Sequence, residues 1–294
     1  MQLTQHLFQG SFVALVTPFR DGKVDEKALR ALVDWQIEQG TDGIVPCGTT
    51  GEAPTLSYEE HEKVISIVVE QSNRRVPILA GAGSNSTENA IKLTKQAKRA
   101  GAHGSLHVTP YYNKPTQQGL YLHYEAIAKA VDLPMMLYNV PGRTAVNMDA
   151  ATTIRLSKIE NIVGTKEAAG NLEQVATILA GVSKNFVVFS GDDALNLQVY
   201  ALGGSGCISV TANVVPKRVA KVWNLHNTKQ KEGAAAEQEA LQPLNKVLFI
   251  ETNPLPAKTA LAMMGRCQEE FRLPLCPMED WNRQELQKVL KQYD

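Results

Sequence analysis

A lysine interrupts a run that otherwise reads as a buried strand. In NIVGTKEAAGN, Asn161 to Asn171, Ile162 and Val163 open an apolar segment and Asn171 is suited to start a helix, yet Lys166 stands where a sheet normally hides its side chains. Strand alternation sends Ile162, Gly164 and Lys166 to one face and Val163, Thr165 and Glu167 to the other, and Gly164 leaves room for a long side chain. If the first face lines an enclosed interior, desolvation favours the neutral amine, the form that attacks a carbonyl to make a Schiff base. Taken alone, Lys166 reads more simply as a snorkelling or ion-paired side chain with Glu167 beside it. Tyr138, in LYNVPGRT, is a phenol that can shuttle protons to a group held on Lys166 if its strand is the neighbour, about 4.8 Å away. Alone it is ordinary packing. GTT, Gly48 to Thr50, offers backbone amides and two hydroxyls beside a helix start, suited to a carboxylate, although Gly and Thr also make plain turns.

Other polar features ask for less. Asp192 and Asp193 in SGDD resemble a metal pair, but Asp at a helix entrance more often caps it. GGSG, Gly203 to Gly206, lacks the lysine of a phosphate-binding loop and reads as a tight turn into a strand. His103 and His107 lie four apart with no third ligand nearby, so no metal is expected. Cys47, Cys207, Cys267 and Cys276 are too sparse for a disulfide framework and form no CxxC pair, which fits reduced, structural cysteine.

The elements that must position these groups repeat along the chain. SFVALVTPF, DGIVPCGTT, VPILAGAG, GSLHVTPYY, LPMMLYNVP, NIVGTKEA, FVVFSGDD and GCISVTANVV read as strands, and each is followed by a helical run. Ser57 with Glu60 forms a capping box, Asn171 can cap with Gln174, and Gly40 and Gly101 stop helices. In the second helix His61, Val64, Ile65 and Val68 share one face. Eight strand and helix pairs close a (β/α)8 barrel of the TIM type, whereas an open doubly wound sheet would want a glycine-rich nucleotide turn after its first strand, here LVTPFRDG. The barrel is expected over residues 1–230. Residues 231–294 then read as a C-terminal appendage of three helices, separated by Pro254 and by LPLCPMED. Barrel enzymes carry their chemistry at the C-terminal ends of strands, which is where GTT, Tyr138 and Lys166 fall.

Composition bounds the setting. With 44% hydrophobic residues among 294, the chain can bury a large core, and 30 basic against 30 acidic residues give no net field toward nucleic acid or an anionic membrane. The start, MQLTQHLFQGS, has neither a basic n-region nor an apolar h-region, and no stretch approaches the roughly 20 apolar residues of a membrane span, so a cytoplasmic protein is expected.

GTTGE, VTPYYNKP, LYNVPGRT, GTKEAAGN and SGDD, in this order and at these strand ends, resemble the signature of the dihydrodipicolinate synthase and N-acetylneuraminate lyase family. The resemblance runs from about Gly10 into the NPLPAK stretch. It implies a pyruvate-dependent class I aldolase on a (β/α)8 barrel, with no metal or other cofactor. It further implies Lys166 as the imine-forming lysine, Tyr138 as the proton-transferring tyrosine, and Thr49 and Tyr112 as the rest of a proton relay, the Tyr112 being supplied by a neighbouring subunit. Thr50, Ile208 and Gly191 match substrate-binding positions, with Thr50 at the pyruvate carboxylate. A homotetramer built from tight dimers is implied as well.

Within the family, Arg143 discriminates. The synthase branch keeps an arginine here for the second substrate's carboxylate, a task for which a guanidinium is well shaped. Sialic acid lyases generally lack it and have Ser-Thr where this chain reads Thr49-Thr50. The resemblance therefore implies condensation of pyruvate with L-aspartate 4-semialdehyde on the route to diaminopimelate and lysine. Another 2-oxo-acid aldolase is the second reading, and a silent ligand-binding relative would have lost Lys166 or Tyr138. Lysine-sensitive relatives bind the amino acid between two subunits at positions that here are Ala53, Pro54, Tyr58, His61, Asn85, Asn89 and Tyr111. Asn89 stands where they carry a glutamate, so feedback by lysine is expected to be weak or absent.

Overall fold

A computed structural model describes residues 7–293. The reading of the first six residues as free of a leader, and the outermost bounds at 1 and 294, lie outside the described residues.

Eight parallel strands form the barrel: β1 Gly10–Ala14, β2 Gly43–Val45, β3 Leu79–Gly81, β4 Gly104–Val108, β5 Met135–Asn139, β6 Ile162–Glu167, β7 Val187–Ser190 and β8 Gly206–Ser209. Their order around the sheet is β2, β1, β8, β7, β6, β5, β4, β3, and a parallel bridge between Ile44 and Ile78 joins the two ends, closing the ring. The helices between them are α1 Glu26–Glu38, α2 Tyr58–Ser72, α3 Thr87–Arg99, α4 Gln117–Ala130, α5 Ala150–Leu156, α6 Leu172–Gly181, α7 Asn196–Ala201 and α8 Pro216–Asn227. The alternation expected from periodicity is therefore present throughout. The expected caps are also in place. Ser57 and Glu60 bond reciprocally at the start of α2, the Asn171 side chain accepts from the Gln174 amide, and Gly40 and Gly101 turn with positive φ after α1 and α3.

The first strand ends at Ala14, and the TPF segment instead feeds a two-residue antiparallel hairpin, Phe19–Arg20 with Lys23–Val24. PGRT, read as a strand end, is a single helical turn, Pro141–Thr144, with proline at a position that needs no amide donor. Asp192 caps as expected by accepting from the Ala194 amide. Asp193 does not: its carboxylate accepts from the Val210 and Thr211 amides beyond β8 and from Asn196.

Two apolar layers hold the barrel. Phe12, Val45, Leu106, Met136, Tyr138, Val187, Phe189 and Ile208 pack together from the strands, while Leu29, Val64, Ile65, Val68 and their neighbours fill the space between strands and helices. Val64, Ile65, Val68 and His61 are all buried, as the helical stripe requires.

Three further helices follow, α9 Lys231–Val247, α10 Leu255–Met263 and α11 Asp280–Leu290. They share a core of Leu244, Leu248, Leu255, Ala260 and Leu286 with Val210 and Val214 from the end of β8. Gln238, Gln242 and Asn245 of α9 donate to the carbonyls of Asp193 and Ala194, and Thr211 donates to Asn245.

Candidate active site

Register decides where Lys166 points. Tyr138 pairs with Lys166 and Lys166 with Phe189 across β5, β6 and β7, so the three side chains share one face, and Tyr138 and Phe189 belong to the interior layer. Lys166 is 5% exposed, and its Nζ sits 4.3 Å from the centroid of the Tyr138 ring. The phenol and the amine are therefore brought together.

Glu167 is no partner for the lysine. One residue on, it points to the opposite face, where Asn139 and Gln174 donate to its carboxylate and the Ala169 amide adds a third contact at 2.9 Å. Burial pushes its carboxyl above the usual value, opposed by those hydrogen bonds. Among the described residues no carboxylate forms an ion pair with Lys166, so the snorkelling or ion-paired reading does not hold.

Room for the lysine comes from a different glycine than expected. A Cβ on Gly164 would meet Val187 Cγ2 at 2.4 Å and the Val187 carbonyl oxygen at 2.6 Å, so Gly164 lets β7 approach β6. A Cβ on Gly191 would lie 3.0 Å from Lys166 Cε and 2.6 Å from Ala168 Cβ, so Gly191, just past β7, is the residue that leaves the lysine its space.

The remaining predicted groups cluster unevenly. Ile208 is buried in the interior layer with Tyr138. Thr50 is buried, Thr49 half-buried, and both lie in the turn after β2, where the Glu52 amide donates to the Thr49 carbonyl. Thr50 Oγ1 accepts from Asn253 Nδ2 at 3.0 Å, and the Asn253 carbonyl accepts from Arg143 Nη2 at 3.2 Å. Asn253, just before α10, thus joins Thr50 to Arg143, and its Oδ1 is buried without a partner. Sequence reasoning gave Asn253 no role. Its only signal was the Asn-Pro pair ahead of a helical run. Tyr112 is 89% exposed, with φ +73, and this chain alone does not gather it to Lys166.

The residues of the possible effector site lie at the N-terminal ends of α2 and α3 and in the loops before those helices and after β4. Ala53 and Pro54 form a short 3-10 turn, Tyr58 opens α2, and His61 is buried one turn later. Asn85 Nδ2 donates to the Tyr111 carbonyl, Asn89 is exposed in the first turn of α3, and Tyr111 is partly exposed. Lys92 Nζ lies 4.0 Å from the centroid of the Tyr58 ring, a cation already stacked on one member of the set.

Comparison with known proteins gives the family and the fold. A model of the dihydrodipicolinate synthetase family matches residues 7–293. The chain belongs to this family. It is 55% identical over 285 residues to the 4-hydroxy-tetrahydrodipicolinate synthase of Thermodesulfovibrio yellowstonii, covering 97% of this chain and 98% of that one. Among solved structures, the dihydrodipicolinate synthase of Aquifex aeolicus superposes with a TM-score of 0.96 at 48% identity, covering 97% and 98% of the two chains. The chloride-inhibited enzyme of Acinetobacter baumannii, complexed with pyruvate, gives 0.95 at 49% identity, with coverage of 97% and 98%. Family membership accounts for the (β/α)8 architecture, and no helix among the described residues is long and apolar enough to cross a membrane.

Proposed function

We infer that this chain is a Schiff-base lyase that condenses pyruvate with L-aspartate 4-semialdehyde to 4-hydroxy-tetrahydrodipicolinate, in lysine and diaminopimelate biosynthesis. The observation that carries the reading is the buried, carboxylate-free Lys166 with its Nζ against the Tyr138 ring inside the barrel. The Lys166 amine attacks C2 of pyruvate and releases water, forming an imine that acts as an electron sink. Tyr138, with Thr49 and with Tyr112 from a neighbouring subunit, moves the methyl proton away to leave an enamine. The enamine carbon bonds to the aldehyde carbon of the semialdehyde, whose oxygen takes up a proton. The semialdehyde's amino group then displaces Lys166 from the imine carbon, closing the ring and restoring the free lysine. Thr50 and its turn hold the pyruvate carboxylate, Gly191 and Ile208 line the same pocket, and Arg143 receives the carboxylate of the second substrate.

The exposure of Tyr112 and Tyr111 supports an assembly in which these rings enter a neighbour, and we read the protein as a cytoplasmic homotetramer of tight dimers. The same interface would hold the effector set, with Asn89 and Lys92 working against lysine binding.

The test is turnover of pyruvate with L-aspartate 4-semialdehyde beside cleavage of N-acetylneuraminate. Borohydride added with pyruvate is expected to leave a secondary amine on Lys166, located by peptide mass spectrometry. A label found only elsewhere, or full activity in Lys166→Ala, would overturn the reading.

A further inference from the structure

The last part of the chain grips the turn that carries Thr49 and Thr50 at two points. The first is the Asn253 to Thr50 hydrogen bond. The second lies two residues beyond Thr50 and five beyond Asn253, where Glu52 and Lys258 form an ion pair with both side chains 0% exposed. Lys258 Nζ also donates to the Glu270 carbonyl at 3.0 Å and lies 4.2 Å from the centroid of the Phe19 ring. Glu52 sits at φ +53, a left-handed conformation uncommon for a residue with a Cβ.

Such a pair is a poor device for stability alone, because desolving two charges cancels most of their attraction and an apolar pair of similar volume often serves as well. What it supplies is fixed geometry. The Lys258 ammonium is held on α10, a helix whose Leu255, Ala257, Ala260 and Leu261 are all buried. Glu52 is drawn to that ammonium. The Glu52 amide in turn donates to the Thr49 carbonyl at 3.1 Å, and the Ala53 amide to the Gly48 carbonyl at 3.2 Å. Thr17 holds the other side of the turn through its bond to the Gly51 carbonyl at 2.7 Å.

We propose that Glu52 and Lys258 are positioning residues for pyruvate, a buried ionic clamp that sets the Thr49 and Thr50 turn at the height of Lys166. The clamp rests on the roles given above to Thr50 and Lys166. It acts directly on the carboxylate end of the first substrate, while the Arg143 end of the second is linked to the same turn only through Asn253.

The experiment compares Lys258→Met, Glu52→Gln and the charge-free double variant Glu52→Gln/Lys258→Met with the unaltered enzyme. Thermal unfolding, the KM for each substrate and the rate of borohydride trapping with pyruvate are measured for each. The double variant, which strands no buried charge, is expected to fold and to show a pyruvate KM raised at least about tenfold, with the aldehyde KM changed less than about threefold. Glu52→Gln, which keeps a hydrogen bond to Lys258, is expected to fall between. Glu52→Asp keeps both charges but shortens the reach, and covers the case in which the others do not fold; its pyruvate KM is expected to rise in the same selective way. A folded variant whose two KM values both stay within about twofold of the unaltered enzyme, or rise together, would overturn the clamp. Absence of pyruvate trapping in the unaltered enzyme would overturn both the clamp and the Schiff-base reading, whereas normal trapping there and equal trapping in the variants would overturn the clamp alone.

Discussion

Adding one methyl group at Gly191 tests whether packing aims the lysine. In Gly191→Ala the new carbon would lie 2.6 Å from Ala168 Cβ, 3.0 Å from Lys166 Cε and 3.1 Å from the Glu167 carbonyl oxygen. Carbon atoms settle about 3.5 to 4.0 Å apart, so Ala168 must retreat by roughly 1 Å and the lysine stem by about half that or more. Neither strand end is free to drift, because the Gly191 amide donates to the Glu167 carbonyl at 2.8 Å and Lys166 is enclosed. Overpacking of this kind costs about 1 to 3 kcal/mol, and a displacement near 1 Å at a reacting atom can cost about a hundredfold in rate. That factor equals about 2.7 kcal/mol of barrier, so the loss of rate and the loss of stability should be similar in free energy. Thermal unfolding, steady-state kinetics and borohydride trapping of pyruvate on the same preparation separate them. The melting temperature is expected to fall by roughly 2 to 10 °C, kcat by about ten- to a hundredfold, and trapping to slow in step with kcat. A well-folded Gly191→Ala enzyme with unchanged kcat and trapping rate would refute the idea that this glycine reserves the lysine's space.

Arg143→Ala is expected to reduce kcat/KM for the semialdehyde by about 1.5 to 3 kcal/mol, while pyruvate trapping at Lys166 continues. Equal loss of both would contradict the division of roles. Half-inhibition by lysine should need more than submillimolar concentrations, and Asn89→Glu should lower the required concentration at least about tenfold by restoring a charged partner, as a steady-state titration would reveal. Burial holds His107 and His123 neutral, with pKa values of about 3 and about 4 against an ordinary 6.5. The unfolded chain then binds protons that the folded chain refuses, so their contribution to stability is complete above pH 6.5 and is lost as the pH falls, toward about 4 for His123 and about 3 for His107, by up to about 1.4 kcal/mol per histidine per pH unit. Asp42, Asp192 and Glu167, whose carboxyls burial pushes up, act in the opposite direction below neutrality. The histidine share is read from urea midpoints between pH 7 and 5 in the unaltered protein and in His123→Gln; identical slopes would exclude it.

Much of this architecture was legible in the chain because its signals are local. Period-two runs bounded by caps place the strands, and the face shared by Ile162, Gly164 and Lys166 follows from alternation alone. Tyr138 could be named as a partner because consecutive strands of a barrel are usually neighbours. What escaped were contacts that no short window contains. Asn253 and Thr50 stand 203 residues apart, and Lys258 and Glu52 stand 206 apart. Asp193 looked like a cap because its neighbours form one, yet its carboxylate reaches 17 residues onward to the Val210 amide. PGRT was too short to show a helical period, so its single turn, which carries Arg143, passed as the end of a strand. The glycine at 164 could be seen to leave space. Only the packed neighbours show that Val187 takes that space and that Gly191 provides for the lysine.

The two bonds from Asn253 and Lys258 to the turn after β2 also order events at the ribosome. β1 to β8 end at Ser209, and α8 ends at Asn227, so a nascent chain that has emerged to that point already contains every strand, Lys166, Tyr138 and both threonines. It lacks the groups that seat the threonine turn. A barrel closed at that stage would hold an amine in place before its threonine turn was seated, and that turn would be seated only after the chain had been extended to Met263, the end of α10, and α10 had docked. Late completion of this kind would keep a reactive lysine idle during synthesis.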